Sequence, residues 1–287
     1  MARMFQFCVA ALAVMLFLVG AADDAQVESE AKVIRVAVCQ TLCIDSDVEG
    51  NLRRIAYAVE EAARRKADLA CFPETAVLGW VNPKAHELAK PIPGPLSDRI
   101  VELARKHKLM IAIGICEKDG DKLYDSAILV GADGRILHKH RKINTLVELL
   151  TPPYERGLLA DVRVVDTPLG RIGMLICADT FKEEYVQRLA EQSPDLAVVP
   201  YGWAAGVNQW PGHGKNLATL VGSVARRVKC PVVGTDLVGS ISAGPWKGMT
   251  YGGQSVVADG KGDVLGVLKD RDTDLRVFEL PIGVAKP

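Results

Sequence analysis

Apolar and polar positions alternate along this chain in two distinct periods. Val33-Ile-Arg-Val-Ala-Val-Cys-Gln40 reads as a strand with buried alternation. From Asn51 to Arg65 the period lengthens: Leu52, Ile55, Ala56, Val59, Ala62 and Ala63 mark one face of a helix. Leu69-Ala-Cys-Phe72 is a short buried strand stopped by Pro73, and a Pro- and Gly-bearing loop runs over 75–94. Leu96–Lys106 is a second helix and Met110–Glu117 a strand ending at the Asp119-Gly120 turn. Tyr124–Val130 and Ile136–His140 form a hairpin about Asp133-Gly134.

An irregular stretch follows over 144–160. Val162–Thr167 and Arg171–Ile176 are strands joined through Pro168-Leu-Gly170. Glu183–Glu191 is helical, Leu196–Pro200 a strand, Gly214–Val228 a helix and Pro231–Asp236 a strand. Residues 239–253 read as a Gly-rich loop. Strands near Gln254–Asp259, Val264–Leu268 and Leu275–Glu279 close the chain. Strands interleaved with helices, with hairpins mixed in, predict an α/β fold. No Pro/Ser-rich linker or internal repeat divides the chain, so residues 32–287 are expected to form one domain.

The N-terminus breaks this pattern. After Arg3, the run Phe5–Gly20 is apolar apart from Gln6, and Val19-Gly20-Ala21 is a small-residue cleavage pattern before Asp23-Asp24. At about 16 residues the run is shorter than the roughly 18 to 20 a membrane span needs. Residues 1–22 are therefore expected to be a signal peptide, 23–31 a flexible leader, and the mature protein exported, with no stable membrane span after cleavage.

The 287 residues are 49% hydrophobic, ample for a sizeable core, and carry a formal net charge of zero with both signs well mixed. No basic face points to nucleic acid. Export permits disulfides among Cys39, Cys43, Cys71, Cys116, Cys177 and Cys230, yet four of them (39, 71, 116 and 230) lie in or beside apolar strand patterns where buried thiols are common. His138-x-His140 shares a strand face but has no ligand partner at metal spacing. There is no G-x-S-x-G, phosphate loop or dinucleotide fingerprint, so no metal or cofactor is implied.

Three segments carry candidate chemistry. Phe72-Pro73-Glu74 puts a carboxylate at a strand end. His140-Arg141-Lys142-Ile143 offers an ammonium, with Lys142 on the face of His140 and opposite to Lys139 and Arg141. Arg171-Ile-Gly-Met-Leu-Ile-Cys177-Ala-Asp179 runs a strand into a thiol. Taken singly, each has a plain alternative: a solvated carboxylate, a solvated basic cluster, a core cysteine.

In order and spacing these three segments, F-P-E, R-K and G-x-x-x-C-x-D, resemble the nitrilase superfamily of carbon–nitrogen hydrolases, from about Val33 to about Leu280. The resemblance implies an α-β-β-α sandwich of two mixed sheets with helices outside, and a homo-oligomer. It implies Cys177 as nucleophile, Glu74 as general base and acid, and Lys142 as positive charge beside thiolate and oxyanion. A nearby ammonium is expected to favour the thiolate. The Ala178 backbone N–H would be a second oxyanion donor, and Asp179 would bond backbone near the elbow. A second glutamate usually orients the lysine in this family. Tyr154-Glu-Arg-Gly157 resembles the segment that follows it, which favours Glu148 over Glu155. Pro200-Tyr201-Gly202-Trp203 resembles the pocket wall and so nominates Tyr201 and Trp203, with a core aromatic plug as the alternative. Trp80, Trp210 and Trp246 could line its entrance.

The expected activity is hydrolysis of an amide or N-carbamoyl small molecule through a thioester. Members that act on nitriles commonly carry Trp-Glu after the cysteine, and here Ala178-Asp179 follows. The alternatives are acyl transfer, nitrile hydrolysis, or a non-catalytic secreted binding protein that keeps the fold.

Overall fold

The computed structural model describes residues 32–283. The segments read as signal peptide and leader lie outside the described residues.

Strand β1 (Lys32–Gln40) leads into helix α1 (Val48–Arg64) and β2 (Leu69–Cys71). After a long loop holding the short helix α2 (Ala85–Leu88) come α3 (Pro95–His107), β3 (Met110–Asp119), β4 (Lys122–Val130) and β5 (Ile136–Arg141). The chain then builds β6 (Val164–Thr167), β7 (Gly170–Met174), α4 (Glu183–Ala190), β8 (Leu196–Tyr201), β9 (Ala204–Ala205) and α5 (Gly212–Val228). It ends with β10 (Val232–Asp236), β11 (Val238–Ser240), β12 (Thr250–Gly252), β13 (Val256–Ala258), β14 (Val264–Val267) and β15 (Asp274–Ile282).

Two mixed six-stranded sheets result, in the orders β15-β1-β2-β3-β4-β5 and β14-β13-β10-β8-β7-β6. Within the first, β1, β2 and β3 are parallel; within the second, β7, β8 and β10 are parallel. The alternation in β1 shows why both of its faces are apolar. Val36 and Val38 join a core with Leu69, Met110, Met174 and Val198, between the sheets. Ala37 and Cys39 join a second core with Leu52, Ile55 and Val59 of α1 and with Ile100 and Ala104 of α3, on the outside. Val36 and Val38 are each 0% exposed, and such burial stabilises by about 1.5–3 kcal/mol per side chain. Helix α5 packs Leu217, Val221 and Val224 on the second sheet. The expected α-β-β-α sandwich is the observed architecture.

Helix α1 begins three residues before the periodic pattern does. Asp47 accepts a hydrogen bond from the Gly50 N–H at 3.1 Å and so caps an extra turn. The run 75–82, read as open loop, is buried throughout. Asn51 and Asn82 hold it by donating to the carbonyls of Val77 and Leu78, at 2.8 and 2.7 Å. The Gly-rich stretch 239–253 also departs from the expectation of plain loop. Its ends are β11 and β12, which pair with each other, and β12 pairs with β9 in a third, three-stranded sheet. All six cysteines in the described residues are buried, and Cys39, Cys43, Cys71, Cys116 and Cys177 are free thiols. Among the described residues no helix is long and apolar enough to cross a membrane.

Candidate active site

Glu74 lies just past the end of β2, held in line by the neighbouring β3. Gly114 of β3 donates to the Pro73 carbonyl at 2.9 Å and its own carbonyl accepts from Ala76 at 3.0 Å. This approach requires glycine, because a Cβ at 114 would lie 2.5 Å from the Glu74 Cα. From the other sheet, the Tyr201 carbonyl at the end of β8 accepts the Glu74 N–H at 3.2 Å. The Glu74 backbone therefore bridges the two sheets.

Lys142 follows β5. Its N–H donates to the Asp125 carbonyl on β4, and its own carbonyl accepts from Gly157, both at 2.8 Å. Gly157 also needs to be glycine, since a Cβ there would stand 2.1 Å from the Arg141 carbonyl oxygen. The Lys142 side chain is 0% exposed. Its Nζ donates to Oε1 of Glu74 and, at 3.2 Å, to Oδ2 of Asp125, and it sits 5.0 Å from the ring centroid of Trp80.

Cys177 opens a 3-10 turn, Cys177–Phe181, at the exit of β7. Its φ is +40°, the left-handed region that costs a non-glycine residue about 1–3 kcal/mol unless its surroundings enforce it. The enforcement is visible. Asp179 Oδ2 accepts the Ile176 N–H at 3.1 Å, and Thr180 Oγ1 donates to the Cys177 carbonyl at 2.6 Å. Asp179 Oδ1 accepts the N–H groups of Ile143 and Asn144 at 2.9 and 2.8 Å. Asp179 is thus a structural acceptor, as expected, and it joins the loop after Lys142 to the turn of Cys177.

The thiol, the carboxylate and the ammonium converge. Cys177 lies close enough to Glu74, Lys142 and the Gly202 N–H for all three to act on its charge, and Gly202 in turn faces Glu74, since a Cβ there would stand 2.8 Å from Oε2. Oε1 of Glu74 is engaged by Lys142, whereas the buried Oε2 has no hydrogen-bond partner. Burial, reinforced by the Glu74 charge, pushes the Cys177 thiol well above its ordinary pKa, although Lys142 and the Gly202 N–H pull the other way. The ammonium acts on the thiol in the expected direction, and burial outweighs it. Burial also works against the Lys142 ammonium, and here Glu74 and Asp125 win, raising its pKa. Asp125 is driven well above the ordinary carboxylate range by burial and by Glu74, against the pull of Lys142.

Of the residues nominated from sequence, the structure brings together Glu74, Lys142 and Cys177, with Ala178 buried next to the thiol. Glu148 is not brought there. It is exposed on a 3-10 turn (Val147–Leu149), and Lys142 bonds Asp125 instead. Glu155 is also exposed, and its carboxylate lies 3.7 Å from Lys122. Direction explains the outcome for Glu148: in an irregular segment no periodicity says where a side chain points. Tyr201 is fully buried and meets Thr180 Oγ1 at 3.2 Å. Trp203 is half-buried, stacks on His213 at 5.0 Å and has its N–H held by Asp236 at 2.6 Å. The aromatic over Lys142 is Trp80, with Trp246 edge-on to it at 5.5 Å. Asp125 and the Gly202 N–H were missed. Asp125 had a signal, as a lone acid inside the apolar run Tyr124–Val130 of a hairpin that leads to Lys142.

Two packed mixed sheets, with a carboxylate, an ammonium and a thiol at the ends of β2, β5 and β7, make up the arrangement of the nitrilase superfamily. Within it, the chain belongs to the carbon–nitrogen hydrolase family, whose model matches residues 35–286. A nitrilase from Pyrococcus abyssi is 25% identical over 260 residues, 88% of this chain and 92% of that protein. A bifunctional nitrilase/nitrile hydratase from Lupinus angustifolius is 32% identical over 167 residues, 51% of this chain and 47% of that protein. The chain spans about half the length of several such plant relatives. Among solved structures, a carbon–nitrogen hydrolase from Helicobacter pylori G27 aligns with TM-score 0.77 at 20% identity, covering 86% of this chain and 89% of that one. An amidase from Nesterenkonia sp. aligns with TM-score 0.74 at 21% identity, covering 86% and 90%. These two share the fold.

Proposed function

We propose that this protein hydrolyses a non-peptide C–N bond of a small amide or N-carbamoyl compound through a thioester on Cys177. One observation carries the reading: a buried thiol that feels the charge of a buried carboxylate whose second oxygen is unengaged, with a buried ammonium bonded to the first. Because the thiol rests protonated, Glu74 takes its proton as sulfur attacks the carbonyl carbon. The C–S bond forms while Lys142 and the Ala178 N–H face the oxyanion. Collapse breaks the C–N bond, and the proton on Glu74 leaves with the amine. A water then gives its proton to Glu74 and attacks the thioester. The acid departs, and the proton returns to sulfur.

The reading extends to export through residues 1–22 and to a homo-oligomer, each resting on the sequence and on the family. Nitrile hydrolysis is the second reading, favoured by the names of the nitrilase relatives; the Ala178-Asp179 pair after the cysteine favours amides. The test is ammonia release from a panel of amides, N-carbamoyl compounds and nitriles, with Cys177→Ala alongside. Release from amides or carbamoyl compounds that vanishes in the variant supports the proposal. Release from nitriles alone replaces the substrate class, and release undiminished in the variant refutes the mechanism.

A further inference from the structure

Lys142 has two carboxyl neighbours, and only one of them belongs to the proposed base. The other, Asp125, comes from the middle of β4, is 0% exposed, and has Oδ2 at 3.2 Å from Nζ while Oδ1 has no donor of its own. Oδ2 of Asp125 and Oε1 of Glu74 meet at one nitrogen, Lys142 Nζ, so two buried carboxyls share a single ammonium. Two ionised carboxylates beside one ammonium would leave this buried site with an excess negative charge, which favours a proton on one of them. The groups facing Asp125 are few. Glu74 reaches it from the loop after β2 and Lys142 from the end of β5. Cys116 of β3 and Tyr154 of the segment after β5 complete the surroundings, both buried and held in their neutral forms by that burial.

We infer that Asp125 is a positioning residue of the reaction: it accepts from Lys142, donates one shared proton to Glu74, and so supplies from β4 the second carboxyl that the site would otherwise take from the loop after the lysine. This rests on the hydrolase reading. The side of Asp125 facing Lys142 orients the ammonium, and the side facing Glu74 holds the base. The unengaged Oε2 is thereby left for the thiol. With its proton in place Asp125 adds no charge, so the site holds one carboxylate and one ammonium before the thiol reacts. Burial of Asp125 and the charge of Glu74 both favour that proton.

The test compares Asp125→Asn and Asp125→Ala with the native protein by two readouts. One is the pH dependence of Cys177 alkylation by iodoacetamide, followed by intact mass with Cys177→Ala as the control. The other is turnover on the best substrate. Asparagine can donate to Glu74 and accept from Lys142 but cannot ionise. The expected result is an apparent Cys177 pKa in Asp125→Asn within a few tenths of the native value, with turnover within about tenfold. In Asp125→Ala, kcat should fall by roughly 100-fold or more, and more than KM changes. An apparent thiol pKa lower by about one unit or more in Asp125→Asn would mean that a negative charge had been removed, and would overturn the shared proton. Native kcat in Asp125→Ala would overturn the positioning role. If alanine prevents folding, the asparagine titration still decides. If native Cys177 is not alkylated in preference to the other thiols, the hydrolase reading itself fails, and the inference with it.

Discussion

Oδ2 of Asp179 lies 2.9 Å from Nε2 of His140, and both side chains are 0% exposed. The same carboxyl accepts from Ile143 and Asn144, so residues on both sides of Lys142 are bonded to Asp179. Asp179 stands two positions from Cys177 and also takes the Ile176 N–H. One buried side chain therefore fixes the distance between ammonium and thiol. Asp179→Ala should strand these donors and destabilise the protein by about 3 kcal/mol or more, whereas Asp179→Asn, keeping one acceptor oxygen, should cost about 1–3 kcal/mol. Urea denaturation measures both, and kcat should fall in the folded asparagine variant.

Glu148→Gln and Glu155→Gln should each leave kcat/KM within about twofold, the size expected for exposed side chains away from the site. Steady-state kinetics on the two variants checks this. A loss of 100-fold in Glu148→Gln would restore that residue as the partner of Lys142.

Glu117 of β3 is 1% exposed and accepts from Ser126, Lys139 and Arg141. Burial alone would raise its pKa, but those three partners outweigh burial and lower it. Its stabilising contribution is thus present above the ordinary carboxylate pKa and is lost as pH falls through the lower, folded value. Lys139 and Arg141 are partly solvated, so Glu117→Gln should cost about 2–3 kcal/mol at pH 7, less than the loss of a fully buried pair. The gap between native and variant stability should close in acid, as read by urea denaturation below about pH 4.

His138 shares a face of β5 with His140, and burial, aided by His140 and Arg163, lowers its pKa from 6.5 to about 4. A depressed histidine binds fewer protons folded than unfolded, so it favours the folded state above pH 6.5 and loses that effect as pH falls toward 4. The loss should reach about 2 kcal/mol by pH 5. His138→Gln should remove this part of the acid sensitivity. Urea titrations at pH 7 and pH 5 measure the difference, and an equal pH slope in both proteins would contradict it.

What the sequence carried and what it withheld have physical reasons. β1, α1 and the β3–β4–β5 meander repeat one period over many residues, and repetition makes a period readable. Glu74, Lys142 and Cys177 each follow an apolar run, but singly each had a plain alternative, and the ordered resemblance of the three segments is what nominated them. β9, β11 and β12 are two or three residues long and sit among glycines, too short to show a period; their pairing comes from contacts distant in sequence. Glu148 was misplaced because resemblance supplied a residue type while the backbone of 144–160 decided where it points. Asp125 was hidden by the pattern itself: on a strand with both faces buried, alternation does not separate a core position from a site.

The central claim is that Cys177 becomes acylated with Glu74 as its base. The most direct measurement is intact mass of the protein quenched in acid during turnover of its best amide, beside Cys177→Ala and Glu74→Gln. The native protein should gain the mass of the acyl group on the peptide bearing Cys177. Cys177→Ala should gain none and lose roughly 10⁴-fold or more in kcat. Glu74→Gln should acylate roughly 10²–10⁴-fold more slowly. Turnover with no acyl adduct in any quench, or native turnover in Cys177→Ala, would contradict the account.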